Sequence, residues 1–399
     1  MMPALSPEEE AHSRAVTALI GERIRVSGGW IPFEDFMELA LYAPGLGYYS
    51  AGSVKLGPGG DFVTAPEVSD LFSRCVARQC AQVLGAMSGA GHILELGAGT
   101  GRMAAVILQS LAAGGRLPER YAILEVSADL AERQRERLDR LPRELRERVV
   151  WLERLPARPI QGVVLANEVL DALPCRRFTV AGGGVRELGV GLEAGLPVQN
   201  GAVAAPEKPV DRDAAPDGTL ASVCAALLRD LPAPLPEGYS SEICLRIAPW
   251  VAGVADCLER GVMLLFDYGL PRAHFYHPQR TTGTLRCHFK QRVHDDPYIN
   301  VGVQDITAWV DFTRVAEAAV DCGLEVAGFC TQAGFLLATG VERLVAEATD
   351  PVAHVRLAGE ARRLLLPAEM GEAFKVMALT RDHGEALQGF TLQDLRQSL

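Results

Sequence analysis

Between residues 92 and 166, short apolar runs alternate with longer segments whose apolar residues recur every three or four positions. The segments of helical spacing, residues 102–113 and 128–147, predict helices. The apolar runs predict strands over residues 92–96, 121–126, 149–152 and 162–166. Strands that alternate with helices build a parallel sheet with helices on both faces. The pattern therefore predicts an α/β fold.

The sequence on either side of this repeating pattern predicts further parts of the fold. Residues 1–84 indicate an N-terminal helical and lid region, in which Ser6 is the expected cap of the first helix. We assign residues 85–175, 240–270 and 322–385 to the core. Later strands are predicted at 262–266, 325–329 and 374–379. Further helices are predicted along the chain at 219–230, 246–260, 306–322 and within 339–366.

Two segments interrupt the core pattern. Residues 176–239 and 271–321 are predicted insertions that form the substrate-binding side. The first begins with alternating positions and Gly breaks over 177–198, which predict β-hairpins. Its Ala-, Pro- and Asp-rich part, residues 199–218, predicts a mobile loop.

A glycine motif, LELGAGTG at residues 94–101, ends the first predicted strand of the core. Closely spaced glycines let a ligand approach the backbone where a helix begins. Dinucleotide-binding folds prefer G-x-G-x-x-G, whereas Arg102 stands here in the place of the third glycine. This spacing and the preceding Glu95 favour S-adenosyl-L-methionine (SAM) over NAD, with Gly97, Gly99 and Gly101 around its methionine part. A tight turn that holds no ligand is the alternative.

Two further strand ends carry candidate site residues. Glu125 follows the second strand, where an acid can accept hydrogen bonds from both ribose hydroxyls; NAD enzymes use such an acid as well. Asn167, Glu168 and Asp171 follow the fourth strand and are expected to face the transferred group. The carboxylates of Glu168 and Asp171 could clamp a guanidinium in a bidentate manner. Alternatively, Asp171 caps the next turn and Glu168 alone faces the ligand.

The segment at residues 59–69 carries polar side chains suited to a lid over such a site. We place Asp61 and Thr64 on its cofactor side and Glu67 on its substrate side. The alternative is that Thr64 and Glu67 form only a capping box at the start of a helix.

Composition narrows the class of protein. The 399 residues are 48% hydrophobic and 22% charged, which is enough apolar material for a sizeable core. The 50 acidic residues exceed the 39 basic ones, for a net charge of −11. A negative chain is a poor binder of nucleic acid or of acidic membrane surfaces and favours a cationic partner.

Other patterns bear on compartment and chemistry. The sequence contains neither a run of 18 apolar residues nor an N-terminal targeting pattern, and its nine cysteines form no C-x-x-C pair. We therefore expect a cytoplasmic protein with free thiols. His274 and His277 have no acidic or Cys residue nearby at a spacing typical of metal ligands, so no metal site is expected.

Ordered segments along roughly residues 15–385 resemble the MidA family of SAM-dependent methyltransferases, which includes the mitochondrial arginine methyltransferase of complex I assembly. The matching segments are residues 42–49, 60–67, 95–101, 166–168 with 171–174, 267–269, 283–286, 305–307 with 310–312, and 370–375. The resemblance implies a class I (Rossmann-like) SAM-dependent methyltransferase core with an N-terminal helical region and inserted substrate-binding elements. It also implies symmetric dimethylation of a protein arginine.

The resemblance places Asp267 and Tyr268 on the substrate side. Trp309 stands where the family usually has His, so we expect a substrate contact there as well. The implied partner is a protein with an accessible arginine, with a respiratory-complex subunit as one candidate, and a homodimer stays open. Three alternatives remain: a small-molecule methyltransferase, a noncatalytic SAM-binding assembly factor, and an oxidoreductase, which the missing third glycine opposes.

Overall fold

The computed structural model describes residues 3–51, 64–193 and 207–399, which form three sheets and the helices around them. The strands are β1 (Ile31–Pro32), β2 (His92–Leu96), β3 (Arg120–Leu124), β4 (Val149–Leu152), β5 (Ile160–Asn167), β6 (Arg176–Ala181), β7 (Gly184–Glu193), β8 (Lys208–Ala214), β9 (Ser240–Ile243), β10 (Leu258–Leu270), β11 (Arg286–Phe289), β12 (Arg292–His294), β13 (Asp305–Thr307), β14 (Val310–Asp311), β15 (Glu325–Thr331) and β16 (Phe374–Arg381). The α-helices are α1 (Pro7–Val26), α2 (Phe33–Tyr42), α3 (Ala65–Val68), α4 (Asp70–Gly85), α5 (Arg102–Ala113), α6 (Ala128–Leu138), α7 (Arg143–Arg146), α8 (Gly218–Asp230), α9 (Ile247–Ala255), α10 (Arg272–Phe275), α11 (Phe312–Asp321), α12 (Gln332–Ala338), α13 (Val341–Ala346) and α14 (Pro351–Leu365).

The central sheet has the strand order β15-β16-β10-β5-β2-β3-β4, with the short β14 beside the end of β10. The strands from β10 to β4 pair in parallel, whereas β15 and β16 run antiparallel to their neighbours. Leu96 lies beside Ala166 on one side and Leu124 on the other, so β2, β3 and β5 end at the same edge. This arrangement confirms the predicted α/β fold and brings the three strand-end motifs together.

Helices cover both faces of the central sheet, which explains why its strands are almost uniformly apolar. Along β5, Val163 and Leu165 face the core that includes α4 and α5, whereas Val164 and Ala166 face the core that includes α9 and α11. Both sets are fully or almost fully buried. The sheet is therefore a rigid platform whose carboxyl edge can hold a site.

A second, antiparallel sheet forms from β1, β7, β6 and β9, with β8 on the open side of β7. The predicted loop at residues 199–218 is thus wrong over Lys208–Ala214, which is a strand. Its Pro and charged residues are typical of an edge strand, where they hinder pairing with other chains. Strand β9 pairs with β6, so this sheet extends past residue 239 into a segment that we assigned to the core.

Three predicted helices have different bounds in the structure. The helix predicted over 128–147 is divided into α6 and α7, because Pro142 disfavours helical geometry in the residue before it. The helix predicted over 306–322 starts only at Phe312, after β13 and β14. The helix predicted over 246–260 ends at Ala255, since Leu258 already belongs to β10. Among the described helices, none combines the length and apolar character needed to span a bilayer.

Candidate active site

A cavity of about 370 Å³ lies at the carboxyl edge of the central sheet. Its wall includes the loops that follow β2, β3 and β5, together with residues of α3, α9, the N-terminal region and β13. This volume falls within the usual range of sites for small ligands. The three motifs that sequence analysis placed at strand ends therefore share one cavity.

The glycine loop adopts backbone geometry that other residues rarely adopt. Gly97, Gly99 and Gly101 have φ angles of 65°, 54° and 76°, all in the left-handed region. A β-carbon on Gly97 would lie 3.3 Å from Cγ2 of Val169, and one on Gly101 would lie equally close to Gln134. The loop thus needs glycine both for its turns and for its close packing.

Glu125, just after β3, is held in place by a buried amide. Its carboxylate accepts hydrogen bonds from the Ser127 N–H and from Nε2 of Gln134, each at 2.9 Å. The same Nε2 donates to the Gly99 carbonyl at 2.9 Å, while Trp151 Nε1 donates to the Gln134 side-chain oxygen at 3.1 Å. One fully buried side chain therefore connects the glycine loop to Glu125.

Sequence reasoning missed Gln134, because α6 reads as a solvent-exposed helix of Arg and Glu. A signal was present, however. Leu130, Gln134 and Leu138 follow one another at intervals of four and form one buried face of α6. An uncharged amide in the middle of an apolar stripe is a candidate for a specific hydrogen-bonding role.

Glu95, at the end of β2, lines the cavity but is only 1% exposed. The Tyr121 hydroxyl donates a hydrogen bond of 2.6 Å to its Oε2. Its Oε1 has no hydrogen-bond partner among the described residues. Burial raises the pKa of Glu95 to about 7. This carboxyl group can accept a donor from a bound ligand.

The described part of the lid segment is fastened to the glycine loop. Thr64 precedes α3 but makes no capping hydrogen bond with its side chain, so the capping-box alternative is wrong. Instead, the Thr100 hydroxyl donates to Glu67 Oε1 at 2.5 Å, and Arg102 donates to the Glu67 carbonyl at 2.8 Å. Thr64 and Glu67 both line the cavity, whereas Asp61 lies outside the described residues.

The turn after β5 has an unusual conformation at Glu168, whose φ of 53° is left-handed. Asp267 stabilises this turn, because its Oδ2 accepts hydrogen bonds from the N–H groups of Val169, Leu170 and Asp171 at 2.8–3.3 Å. Its Oδ1 accepts from the Tyr268 N–H at 2.9 Å. Asp267 is therefore a positioning residue beneath the turn.

The structure does not bring all predicted substrate-side residues to the cavity. Asp267 and Tyr268 are absent from the cavity wall, and the Tyr268 ring packs on Phe374 with centroids 3.8 Å apart. Trp309 is also absent from that wall; it lies beside a separate, very small cavity, with the Arg280 guanidinium 5.2 Å from its ring. These placements differ from the expectation: Asp267 and Tyr268 lie within β10, which pairs with β16 on one side and with β14 near its end.

Asn167, Glu168 and Asp171 do line the cavity. The Asn167 amide donates to Glu168 Oε1 at 3.1 Å. Burial, followed by the charge of Asp171, raises the pKa of Glu168 to about 8. Burial also raises the pKa of Asp171, which is 4% exposed and whose Oδ1 has no hydrogen-bond partner within the described residues. Asp171 therefore faces the cavity in addition to Glu168.

These carboxyl groups lack a cationic partner within the part of the chain that the structure describes. In residues 3–51, 64–193 and 207–399, no Arg, Lys or His forms an ion pair with Glu168, Asp171 or Asp267. The same ranges contain no group of His, Cys, Asp and Glu suited to a metal ion. Buried carboxylates without partners are costly, so this part of the cavity is suited to a positively charged ligand.

The wall residues that were not predicted as site residues include Tyr42, Tyr49 and Asp305. The Tyr42 hydroxyl donates to the Ala172 carbonyl at 2.9 Å, and the Tyr49 hydroxyl donates to Asp305 Oδ1 at 3.0 Å. The two rings stack with centroids 5.5 Å apart. All three residues lie in segments that carry the family resemblance. Because Asp305 is far from the two tyrosines in the sequence, the sequence did not indicate that they are in contact.

Known proteins share this architecture. The Methyltransf_28 family model, which describes SAM-dependent methyltransferases, matches residues 75–330. A crystal structure of a Burkholderia thailandensis protein bound to S-adenosyl-homocysteine is 40% identical, covers 100% of both chains and has a TM-score of 0.91. A native structure from the same organism has a TM-score of 0.89 at the same identity and coverage.

Curated relatives are more distant but also match most of the chain. A mitochondrial protein named protein arginine methyltransferase NDUFAF7 homolog, from Drosophila melanogaster, is 29% identical over 94% of this chain and 88% of its own length. The mitochondrial NDUFAF7 protein arginine methyltransferase from Mus musculus is 28% identical over 94% of this chain and 87% of its own.

Proposed function

The chain belongs to the Methyltransf_28 family of SAM-dependent methyltransferases, and we propose that it methylates an arginine guanidinium of a partner protein. The predicted relationship to MidA-type enzymes and the predicted SAM cofactor are confirmed by this family and by the relative with bound S-adenosyl-homocysteine. The arginine acceptor, its symmetric dimethylation and the protein nature of the substrate are the proposed part.

The cavity fits the cofactor. SAM supplies a methyl group on a positively charged sulfonium. We assign its methionine part to the glycine loop, where Glu95 Oε1 can accept a hydrogen bond from an amino group. We assign its ribose to Glu125, whose carboxylate lies on the cavity wall after β3. Hydrogen bonds from Gln134 to the Gly99 carbonyl and to Glu125 hold the glycine loop and Glu125 in fixed positions relative to each other.

The choice of acceptor rests on one observation: partly buried Glu168 and buried Asp171 both line the cavity wall without a described cationic partner. A guanidinium offers five N–H donors in one plane and can satisfy two carboxylates at once. An acceptor without N–H donors would leave the buried Asp171 Oδ1 atom in the wall without a hydrogen-bond partner.

These side chains would orient the acceptor and take up its proton. Arginine is protonated at any physiological pH, so methylation of one of its nitrogens must release a proton. Ionised Glu168 would accept a hydrogen bond from the reacting nitrogen and then receive that proton. Burial holds its pKa at about 8 in the empty site, which favours proton uptake near neutral pH. Asn167, which donates to Glu168 Oε1, would keep the carboxyl group in position.

The names of the curated relatives support a protein substrate, since they are called protein arginine methyltransferases. We extend this to the present chain because the matches span at least 94% of it in both cases. A respiratory-complex subunit is the candidate partner that the family resemblance offers.

The test is methyl transfer from labelled SAM into a lysate of the host lacking this gene. Proteins are separated by size and hydrolysed to amino acids. We expect label in a discrete protein band, recovered as symmetric dimethylarginine. A reaction with the Glu168→Gln variant controls for transfer by other enzymes. Label found only in small molecules would replace the proposal by metabolite methylation, and SAM binding without any labelled product would favour a noncatalytic assembly factor.

A further inference from the structure

The acceptor side of the cavity is built by three segments that are far apart in sequence. Tyr42 and Tyr49 come from the end of α2 and the turn after it, Glu168 and Asp171 from the turn after β5, and Asp305 from β13. The Ala308 N–H donates to the Asp171 carbonyl at 3.0 Å, which fixes the β13 segment against this turn. The Tyr49–Asp305 hydrogen bond fixes it against the N-terminal region.

Asp305 is buried like Asp171, with 1% exposure against 4%. Its Oδ1 accepts hydrogen bonds from the Tyr49 hydroxyl and the Ile306 N–H, both at 3.0 Å. The charge of Asp305 raises the pKa of Glu168 and of Asp171, in each case after the effect of burial, so the three groups lie near one another. The fold thus places a third acid where two acids already repel each other.

A second observation points to a ligand at this cluster. Oδ1 of Asp171 is buried in the cavity wall without a hydrogen-bond partner in the described ranges. Most buried polar atoms in proteins are hydrogen-bonded, and an exception that lies on a cavity wall is suited to a donor from a ligand. The stacked rings of Tyr42 and Tyr49 form an adjacent part of this wall, and aromatic rings attract cations.

We infer that Asp305, Tyr42 and Tyr49 complete the acceptor subsite with Glu168 and Asp171, and that this subsite selects a planar guanidinium over a compact ammonium group. The inference rests on the proposed function and names the residues that set its specificity. A guanidinium can donate to separate carboxylates from the edges of its plane and expose its faces to aromatic rings. An ammonium group has three donors at one point and cannot bridge the same set of acceptors.

The experiment compares two small probes in binding to the protein saturated with S-adenosyl-homocysteine. The probes are Nα-acetyl-arginine methylamide and its lysine counterpart, titrated by NMR, which measures millimolar affinities. We expect the wild-type protein to bind the arginine compound at least about tenfold more tightly than the lysine compound. We expect Asp305→Asn to weaken binding of the arginine compound by about tenfold or more.

Asp305→Asn keeps an oxygen that can accept the Tyr49 hydroxyl, so it changes charge more than shape. Affinity for S-adenosyl-homocysteine should stay within about twofold of wild type, and the Tm without acceptor probe should stay close to that of wild type, because the substitution keeps the size and the hydrogen-bonding oxygen of the side chain. Asp295→Asn, which removes an exposed carboxylate in the same insertion, is the matched control and should bind both probes like wild type.

Several results would overturn the inference. These are equal binding of the two probes by the wild type, unchanged arginine binding by Asp305→Asn, or a parallel loss of Tm and cofactor affinity that marks Asp305 as merely structural. If Asp305→Asn does not fold, Tyr49→Phe serves instead. It removes only the hydroxyl that donates to Asp305 and should weaken arginine binding by about threefold, while affinity for S-adenosyl-homocysteine stays within about twofold of wild type.

The proposed function and this inference can fail separately. Asp305-dependent binding of the arginine probe, combined with no labelled arginine in the lysate, contradicts the proposed function but supports the subsite. Labelled dimethylarginine in a protein, combined with Asp305-independent probe binding, supports the function and contradicts the subsite.

Discussion

The two halves of the cavity differ in how complete they are without a ligand. In the cofactor half, Glu125 receives two hydrogen bonds and Gln134 ties it to the glycine loop. In the acceptor half, Asp171 is buried and Glu168 partly buried, and described basic residues form no ion pair with them. The comparison teaches that the first half is preorganised by the fold, whereas the second carries an electrostatic cost that a cation can relieve.

The difference also appears in what fixes each half. The cofactor half depends on backbone geometry, since three glycines with positive φ create its shape. The acceptor half depends on acidic side chains that are held close together although they repel each other. One carboxylate oxygen of Asp267 accepts hydrogen bonds from three N–H groups and so stabilises the turn in which Glu168 is left-handed. Strain of this kind persists only where the surroundings enforce it, and it is typical of functional sites.

The largest expected effect comes from neutralising the acceptor half. Glu168→Gln keeps the size of the side chain and its ability to accept a hydrogen bond from Asn167, but it cannot take up a proton. We expect kcat for methyl transfer to fall by about 10²- to 10⁴-fold, while affinity for S-adenosyl-homocysteine, measured by calorimetry, stays within about twofold.

Glu153→Gln, a change of the same type at an exposed position after β4, is the control and should keep wild-type turnover. If Glu168→Gln lost cofactor affinity to the same degree as turnover, the two halves would not be separable, and the comparison would be wrong.

A second prediction concerns the loss of folding stability that the acidic groups of the acceptor half cause when no ligand is bound. The pKa of Glu168 is about 8 in the folded protein against a usual value near 4.5, so the folded state binds its proton more tightly than the unfolded state. This contribution to the free energy of unfolding is fully present below about pH 4.5 and is lost as the pH rises through about 8. Gln resembles the protonated form of Glu168 at every pH, so without ligands the variant should nearly equal wild type in stability at about pH 5 and exceed it near pH 8, by an amount on the order of a few kcal/mol.

Denaturant unfolding at both pH values measures this difference. A constant gap between the two proteins from pH 5 to pH 8 would show that Glu168 ionises at its usual pKa and carries no penalty in the empty site. The exposed control Glu153→Gln should follow wild type at both values.

The smallest expected effect tests the cofactor half. Gln134→Leu leaves the Gly99 carbonyl, Glu125 and the Trp151 N–H each without one hydrogen-bond partner. We expect affinity for S-adenosyl-homocysteine to fall by about tenfold, which corresponds to one or two lost buried hydrogen bonds. The KM for the acceptor should stay nearly constant, because Gln134 does not reach that half.

Glu136→Leu places the same side chain on the exposed face of α6 and should leave cofactor affinity unchanged. A wild-type affinity in Gln134→Leu would show that the glycine loop and Glu125 hold their places without the bridging amide.

Local patterns in the sequence were sufficient to predict the strands of the core and the motif that we assign to the cofactor. The apolar runs at β2 and β4 match the observed strands to the residue, and the expected cap of α1 forms a full capping box between Ser6 and Glu9. The ends of the helices were harder to predict from the sequence. The segment before Phe312 has helical spacing, yet pairing of β13 with β11 and of β14 with β10 overrides this local preference.

The acceptor side was predictable only in part, for a physical reason. Glu168 and Asp171 follow a recognisable strand, so the rule for parallel sheets places them at the ligand edge. Asp305 follows no core strand, and only the tertiary structure shows that it meets Tyr49. Asp267 follows the core strand predicted over 262–266 as well, but hydrogen bonds to the backbone give its carboxylate a supporting role. Strand position alone does not separate a residue that contacts a ligand from one that supports the turn.

The bond between Tyr49 and Asp305 also implies an order of events during folding. Hydrogen bonds that set the cofactor half join residues no more than 35 positions apart, whereas this one closes a loop of 256 positions. Contacts between distant positions form late, because closing a long loop costs more entropy than closing a short one. Asp305 is also the last of the described wall residues in sequence order, so the acceptor side is the last part of this cavity wall that a chain emerging from the ribosome can complete.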